Sequence, residues 1–422
     1  MSLSIPKVQV KEVVAQTGQN LSIDNTSLLV ITAPVSLFGV GEESKSYKVN
    51  SLKSFEDIAY KESDDLSNNM LVWERVKNFY ALAPSGVVLH VLLFKDTTSF
   101  TDIFTPSNAV NQALSDYLQA QKNSIRLVGM CGNPDPATET YTTSVSPDLQ
   151  SAIPLTQAFC NAQFQKNNPL AIVFEGRKFA GTALDALDLT TFNAGNVAVT
   201  IARDEVRKEA LVSSGHTNAG HFAQVGTALG KLASIQVNQN MGRITTPPAN
   251  VVRENLPVQK VGFSGGQTQF SLENQEVLHQ KGYTFFIEYG GGFQGVFFSD
   301  DRTCQTSELS NNSLAAIRIT NKCAIIAYAT YINLLKSTVT VDQETGRLPS
   351  IEITRHMQLI TDAIEVNTKN LPNRQVDELT SIEVSIDPTQ NLLASGREEI
   401  ELKIIPTGTL KTINVAVGIK AV

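Results

Sequence analysis

The sequence predicts an α/β body followed by a C-terminal α+β domain, with an extended β-strand arm at each terminus. Three observations carry that expectation. From about residue 27 to residue 237, continuous apolar strands alternate with helical patterns. After Pro247–Pro248 the texture changes to an aromatic, glycine-joined pair of strands, two helices and alternating strands. Period-two strands stand at both chain ends, each set off by a turn. Apolar strands without polar alternation belong in a parallel sheet covered on both faces.

In chain order, IPKVQVKEVV alternates Val8 and Val10 against Lys7, Gln9 and Lys11, which makes a strand with one polar face that Gly18–Asn20 then breaks. SLLVITAP (27–34) reads as a buried strand. Residues 65–83 read as one amphipathic helix with Leu66, Met70, Trp73, Val76 and Phe79 or Tyr80 inward. GVVLHVLLF (86–94) is a strand, Asn108–Gln121 a helix with Val110, Leu114, Tyr117 and Leu118 inward, and IRLVGMCG (125–132) a strand. Asp148–Gln165 reads as a helix, 170–177 and 196–204 as strands, and Thr217–Val237 as a small-residue helix.

In the C-terminal part, residues 281–303 read as two strands around a glycine turn. Asn312–Lys336 reads as a long helix, and a second lies around Arg355–Asn370 with Met357, Ile360 and Ile364 inward. SIEVSID (381–387) and EEIELKII (398–405) alternate apolar and polar residues. After Pro406-Thr-Gly408, a last strand alternates Ile413, Val415, Val417 and Ile419. The organisation is therefore a strand over 1–20, a body over 21–280, a C-terminal domain over 281–407 and a closing strand over 408–422.

Composition narrows the function classes. Of the 422 residues only 18% are charged, against roughly 25% in ordinary globular chains. Lys plus Arg is 34 and Asp plus Glu 41, a net charge of −7 without basic blocks. Nucleic-acid binding needs clustered Lys and Arg, so none is expected. The 42% hydrophobic content is too high for a disordered chain. No apolar run reaches the ~18–20 residues that cross a bilayer. The start, MSLSIPKVQVKEVV, lacks a basic end followed by an apolar block, so a cytoplasmic, soluble product is expected. Cys131, Cys160, Cys304 and Cys323 stand far apart and read as small buried hydrophobes.

Each catalytic template finds only a weak match. Gly290-x-Gly292-x-x-Gly295 has dinucleotide-fingerprint spacing, but a strand rather than a helix follows, so a hairpin turn is the better reading. GTALGK (226–231) departs from the P-loop pattern at Val225 and Leu232. His216 and His221 are five apart, which does not place them on one helical face for a metal. Asp300-Asp301 reads as a turn or helix cap rather than a cation pair. Asn133–Asp135 or Asp204–Glu205 would be the polar cluster of an α/β enzyme, and helix capping explains them as well. No catalytic residue, cofactor or metal site is expected.

The terminal strands stand out. A strand with unpaired N–H and C=O groups recruits other chains. Two readings remain at this point: both strands fold back onto the home sheet, or they add to other subunits by β-augmentation.

The C-terminal third resembles the contractile tail sheath proteins of phages and related injection systems. The features in order are GVFFSDDRT (295–303), the helix SLAAIRITNKCAIIAYATYINLLKS (313–337), the turn VDQETGRL (341–348) with its helix, and the closing series from SIEVSIDPTQN through IIPTG to the terminal strand (381–422). Roughly the last 140 residues carry the resemblance, and residues 21–280 correspond to the variable part of such proteins. It implies a subunit that polymerises as a helix around a tail tube, exchanges terminal strands with its neighbours, and contracts without nucleotide hydrolysis. The linking residues would be Val8, Val10 and Val13 at one end and Ile413, Val415, Val417 and Ile419 at the other. The hinges would be Gly18 and Pro406–Gly408. The tube-facing element would be the 313–336 or the 356–370 helix, with Arg318, Asn321 and Lys322 as candidates. Implied partners are further copies of the chain, the tube protein, and baseplate and terminator proteins, with assembly in the bacterial cytoplasm as part of a phage tail or a phage-tail-like particle. An α/β enzyme or another ring-forming tail or baseplate protein is the alternative.

Overall fold

The computed structural model describes residue 24 and residues 26–133, 144–245, 253–265, 270–306, 308, 311–369 and 376–411. The N-terminal strand, with Val8, Val10, Val13 and Gly18, and the C-terminal strand from Thr412, with Ile413, Val415, Val417 and Ile419, lie outside the described residues.

The body begins with strand β1 (Ser27–Ala33), strand β2 (Ser44–Val49) and helices α1 (Leu52–Ile58), α2 (Glu62–Ser67) and α3 (Val72–Tyr80). Strand β3 (Leu89–Lys95), helices α4 (Phe100–Phe104) and α5 (Ala109–Ala120), strand β4 (Leu127–Cys131) and helix α6 (Pro147–Gln165) follow. Next come β5 (Ala171–Glu175), β6 (Val197–Thr200), β7 (Ala202–Asp204), α7 (Glu205–Ser213), α8 (Val225–Ser234), β8 (Val261–Phe263) and α9 (Leu272–Gln280). The chain continues through β9 (Tyr283–Thr284), β10 (Phe286–Glu288), β11 (Val296–Phe298), α10 (Leu314–Tyr331), α11 (Ser350–Thr368), β12 (Leu379–Ile386), α12 (Leu392–Ser395) and β13 (Ile400–Pro406).

Seven strands form the central sheet in the order β2-β3-β1-β4-β5-β6-β9. Six run parallel, and β2 is an antiparallel edge. Successive residues of β1 feed opposite cores, as a pleated strand requires. Leu28 and Val30 join Phe94, Ile103, Leu114 and Leu149 on one face. Leu29 and Ile31 join Phe55, Val76, Phe79 and Leu229 on the other. This two-sided burial is what the uninterrupted apolar runs predict.

The helix expected over 65–83 is two helices. Asn69 adopts φ 49°, and the Asp65 carboxylate accepts from the amides of Trp73 and Glu74, capping the second helix from inside. Leu66 consequently faces solvent. The 196–204 strand also divides: β6 stays in the central sheet, whereas β7 pairs with β8 in a separate antiparallel ribbon. The helix expected over 217–237 is a single 3-10 turn and then α8.

The glycines of GTALGK serve packing. A Cβ on Gly226 would lie 2.2 Å from the Arg75 carbonyl oxygen, and one on Gly230 would lie 2.4 Å from that of Phe79. Helix α8 therefore crosses α3 at backbone contact, which only glycine at this i, i+4 spacing allows.

Past residue 280 the chain does not leave the body at once. Tyr283 and Thr284 pair with Val199 and Thr200 as the seventh strand. Gly290–Gly295 closes the β10–β11 hairpin, with φ positive at Gly291, Gly292 and Gly295. Helix α10 then spans two cores. Leu314 and Ile317 belong to the body core. Ile319, Cys323 and Ile326 belong to a smaller core with Ile360, Ile364, Leu379 and Val384. That smaller core is α10 and α11 packed on the β12–β13 hairpin, where Ile382, Val384 and Ile386 face Ile404, Leu402 and Ile400.

Candidate functional site

The described parts of the two terminal segments meet the fold in one region. Asp24 lies just before β1, and Thr407 just after β13. Between them stands Lys322 of α10, whose side chain is 2% exposed. Its Nζ donates to Glu378 Oε2 at 2.8 Å and lies 3.0 Å from Asp24 Oδ2. The Glu378 carbonyl in turn accepts the Thr407 amide at 3.2 Å, and the Thr407 hydroxyl donates to the Asp377 carbonyl at 2.5 Å. Arg318, one helical turn before Lys322, donates to the carbonyls of Leu232 and Ile235. Burial pushes the Arg318 guanidinium down to about 10, opposed by the charges of Asp24, Asp301 and Glu378.

Of the hinge positions, Pro406 is the last residue of β13, opposite Leu379. Gly408 follows the pinned Thr407, and nothing lies within 4 Å of where its Cβ would stand. Three residues on, Lys411 Nζ donates to Asp300 Oδ2 at 2.8 Å. Asp300 also accepts from His279 Nε2 at 2.8 Å and from the Asn240 amide. Burial acts to raise its carboxyl, but the His279 hydrogen bond, the Lys411 charge and the Asn240 amide outweigh it and hold Asp300 well below the usual carboxylate range. Asp301 is pushed up to about 7 by its own burial and by the Asp300 charge. The expected cap role holds: Asp301 accepts from the Ala315 amide at 2.8 Å in the first turn of α10. An open cleft of about 740 Å³ runs beside this cluster, lined by Asn240, Arg243, His279, Tyr289, Asp300 and the Thr407–Lys411 segment.

Arg318, Asn321 and Lys322 do not face a partner in this conformation, because all three are buried. Helicity placed them correctly on one helix. Lys322 is held by Asp24 and Glu378, and Arg318 by the carbonyls of Leu232 and Ile235. The other helix named for that role, α11, carries an outward apolar surface. His356, Ile360 and Ile364 point inward, while Ile351 (77% exposed), Leu359 and Val366 point outward together with Arg355. A shallow groove of about 900 Å³ follows this stripe between α11 and Leu334. Sequence reading missed it because only the inward face was counted. Residues 351, 355, 359 and 366 share a helical face at i, i+4, i+8 and i+15, so the signal was present.

The β12–β13 sheet has only two strands, and both its outer edges are unpaired among the described residues. Several residues of the catalytic templates have structural partners, while Asp135 lies outside the described residues. Asp204 caps α7 through the Val206 amide, and Glu205 pairs with Arg203 and Lys208. The Asn133 amide donates to the Thr32 hydroxyl. All four cysteines are buried thiols. Among the described residues, no group of three or more His, Cys, Asp or Glu side chains is placed to hold a metal, and no helix is long and apolar enough to cross a membrane.

The family model described as DUF2586, N-terminal domain, matches residues 5–302, more than half of the chain. The chain belongs to the DUF2586 family. No curated protein matches this DUF2586 chain in sequence. In structure it is similar to a chain of the contracted helical sheath of the anti-feeding prophage, over 99% of each, with TM-score 0.55 and 13% identity. It is similar to a chain from the six-fold symmetrised baseplate of that prophage, over 100% of each, with TM-score 0.55 and 12% identity. A chain of the contracted PVC sheath complex, from an extracellular contractile injection system, is similar over 99% of this chain and 98% of that one, with TM-score 0.55 and 13% identity. The DUF2586 chain thus has the fold of contractile sheath proteins along its whole length. The resemblance read from the last 140 residues extends to the part expected to be variable.

Proposed function

We propose that this chain is the structural subunit of a contractile sheath. It polymerises as a helix around a tail tube, joins its neighbours through its two terminal segments, and contracts to drive the tube through a target envelope. The observation that carries this reading is the sheath-like fold over 99% of the chain and of a contracted sheath subunit. The two-stranded β12–β13 sheet supports the linking mechanism, because its open edges can accept strands from other copies through main-chain hydrogen bonds. Lys7–Val13 and Thr412–Lys420 are the strands to be donated, with their alternating valines and isoleucines setting the register.

The tube-facing surface belongs on the C-terminal unit, and the outward apolar stripe of α11 is a surface available for it. Further partners are baseplate and terminator proteins at the two ends of the polymer, in a phage tail or a phage-tail-like particle. The work of contraction comes from exchanging contacts between subunit bodies, so no nucleotide is consumed. Negative-stain microscopy of the purified chain tests the reading: hollow, helically striated tubes are expected, and a chain that stays monomeric at every concentration and salt tried overturns it.

A further inference from the structure

The Lys322 cluster raises a physical question. A buried lysine between two carboxylates is an expensive way to hold a helix in place. Replacing buried ion groups by apolar residues is often neutral or stabilising, and their best-attested use is to fix a particular register or switch. Here the fixed elements are the two segment roots. Asp24 leads into β1, and Thr26 anchors it there by accepting from the Arg126 amide at 2.9 Å. Glu378 leads into β12 and holds Thr407 through its carbonyl. The gap enclosed by Asp24, Arg126, Val237, Arg318 and Lys322 is about 10 Å³, room for at most about one water, so the cluster is packed rather than solvated. The element that carries Lys322 is itself locked, because α10 is seated in both hydrophobic cores.

We propose that Lys322 is a coupling residue that ties the root of the N-terminal segment to the root of the C-terminal segment, so that displacement of one is transmitted to the other. This rests on reading the two segments as links between subunits. Each subunit would then pass load from the neighbour on one arm to the neighbour on the other through Asp24–Lys322–Glu378–Thr407, a continuous path of side-chain and main-chain contacts. The energetic content is a two-ended contact: losing the shared cation loosens both ends at once.

Hydrogen exchange read by mass spectrometry on the full-length, dispersed chain tests this separately from whether tubes form. Lys322→Met should raise exchange by about fivefold or more in peptides covering both 24–28 and 404–410. Lys231→Met is the control, since it breaks another buried pair, with Glu254 at 2.6 Å, that involves neither Asp24 nor Glu378. It should leave those two peptides unchanged. If Lys322→Met does not fold, the triple variant Asp24→Asn, Lys322→Met, Glu378→Gln removes the lysine together with both of its carboxylate partners and gives the same reading. Loosening of only one root, of neither, or of both equally in the control overturns the proposal.

Discussion

Lys411 Nζ and Asp300 Oδ2 lie 2.8 Å apart, and the contact joins the last described residue of the C-terminal segment to the body just before α10. The Asp300 side chain is 6% exposed and Lys411 42%. A half-exposed lysine thus ends on a buried carboxylate. Trypsin cuts after lysine only where the side chain can enter its pocket. Asp300→Asn should therefore speed release of the 412–422 peptide severalfold, with the other early cleavages unchanged. Equal release from both proteins would show that the contact does not hold the segment.

The neighbouring carboxylate predicts a pH effect. Asp301 is pushed up to about 7, above the ~3.9 of an unfolded aspartate. The folded chain then binds more protons than the unfolded one between those values. This contribution to stability is complete below ~4 and is lost as pH rises through about 7. Asp65 is also raised to about 7, chiefly by burial, and adds a slope of the same sign. Asp301→Asn keeps an acceptor for the Ala315 amide and removes one of the two titrations. Urea midpoints at pH 5 and pH 8 should differ less in the variant than in the parent chain. An unchanged difference would mean that Asp301 stays ionised.

The backbone contact between α3 and α8 gives a prediction about packing. Gly226→Ala places a methyl group against a carbonyl oxygen that cannot move without shifting α3. Overpacking of this kind costs about 1–3 kcal/mol. Gly290→Ala, in the exposed hairpin turn with nothing within 4 Å, is the matched control and should be close to neutral. Urea unfolding of the two variants checks the contrast. Equal stability would argue that α8 can ride outward at little cost.

How far the sequence told this in advance varied from place to place. The parallel sheet was legible because β1, β4, β5 and β6 are buried on both faces and carry almost no polar residues. The β12–β13 register was legible because one face is apolar and the period is two. Edge strand β2, SKSYKV, was not, because its lysines suit an exposed edge and hide the strand signal. The break at Asn68–Asn69 depends on a side-chain cap that apolar periodicity does not register, the Asp65 carboxylate folding back onto the first turn of α3. The Lys322 cluster was illegible for a different reason. Asp24, Lys322 and Glu378 are far apart in sequence, and a charged residue on a helix ordinarily points to water.

The proposed linking mechanism is tested at Gly408. It is the first residue past the Thr407 bonds, and it has open space around it. Proline there would fix φ near −65° and restrict Thr407 as well, while touching no core residue. Gly408→Pro should fold normally by circular dichroism yet form fewer or shorter tubes, and deletion of Thr412–Val422 should leave a folded chain that forms none. Tubes of normal length from the deletion would remove the C-terminal strand from the mechanism.

The outward stripe of α11 separates folding from assembly at a different surface. Leu359 is exposed and lies among Ile351, Arg355 and Val366, while the opposite face of the same helix holds Ile360 and Ile364 in the small core. A charge at Leu359 therefore meets water in the dispersed chain and, under the proposed tube contact, apolar surface in the polymer. Surface substitutions away from special features usually change stability by less than about 0.5 kcal/mol. Leu359→Glu should accordingly leave the urea midpoint in place and reduce co-assembly with the tube, read by microscopy of sheath formed on tube filaments. Ile360→Glu should do the reverse, unfolding the C-terminal unit before assembly is reached. If Leu359→Glu assembles on tubes as the parent does, the stripe is not the tube-facing surface, and the search moves to the exposed end of α10 at Tyr328, Ile332 and Leu335.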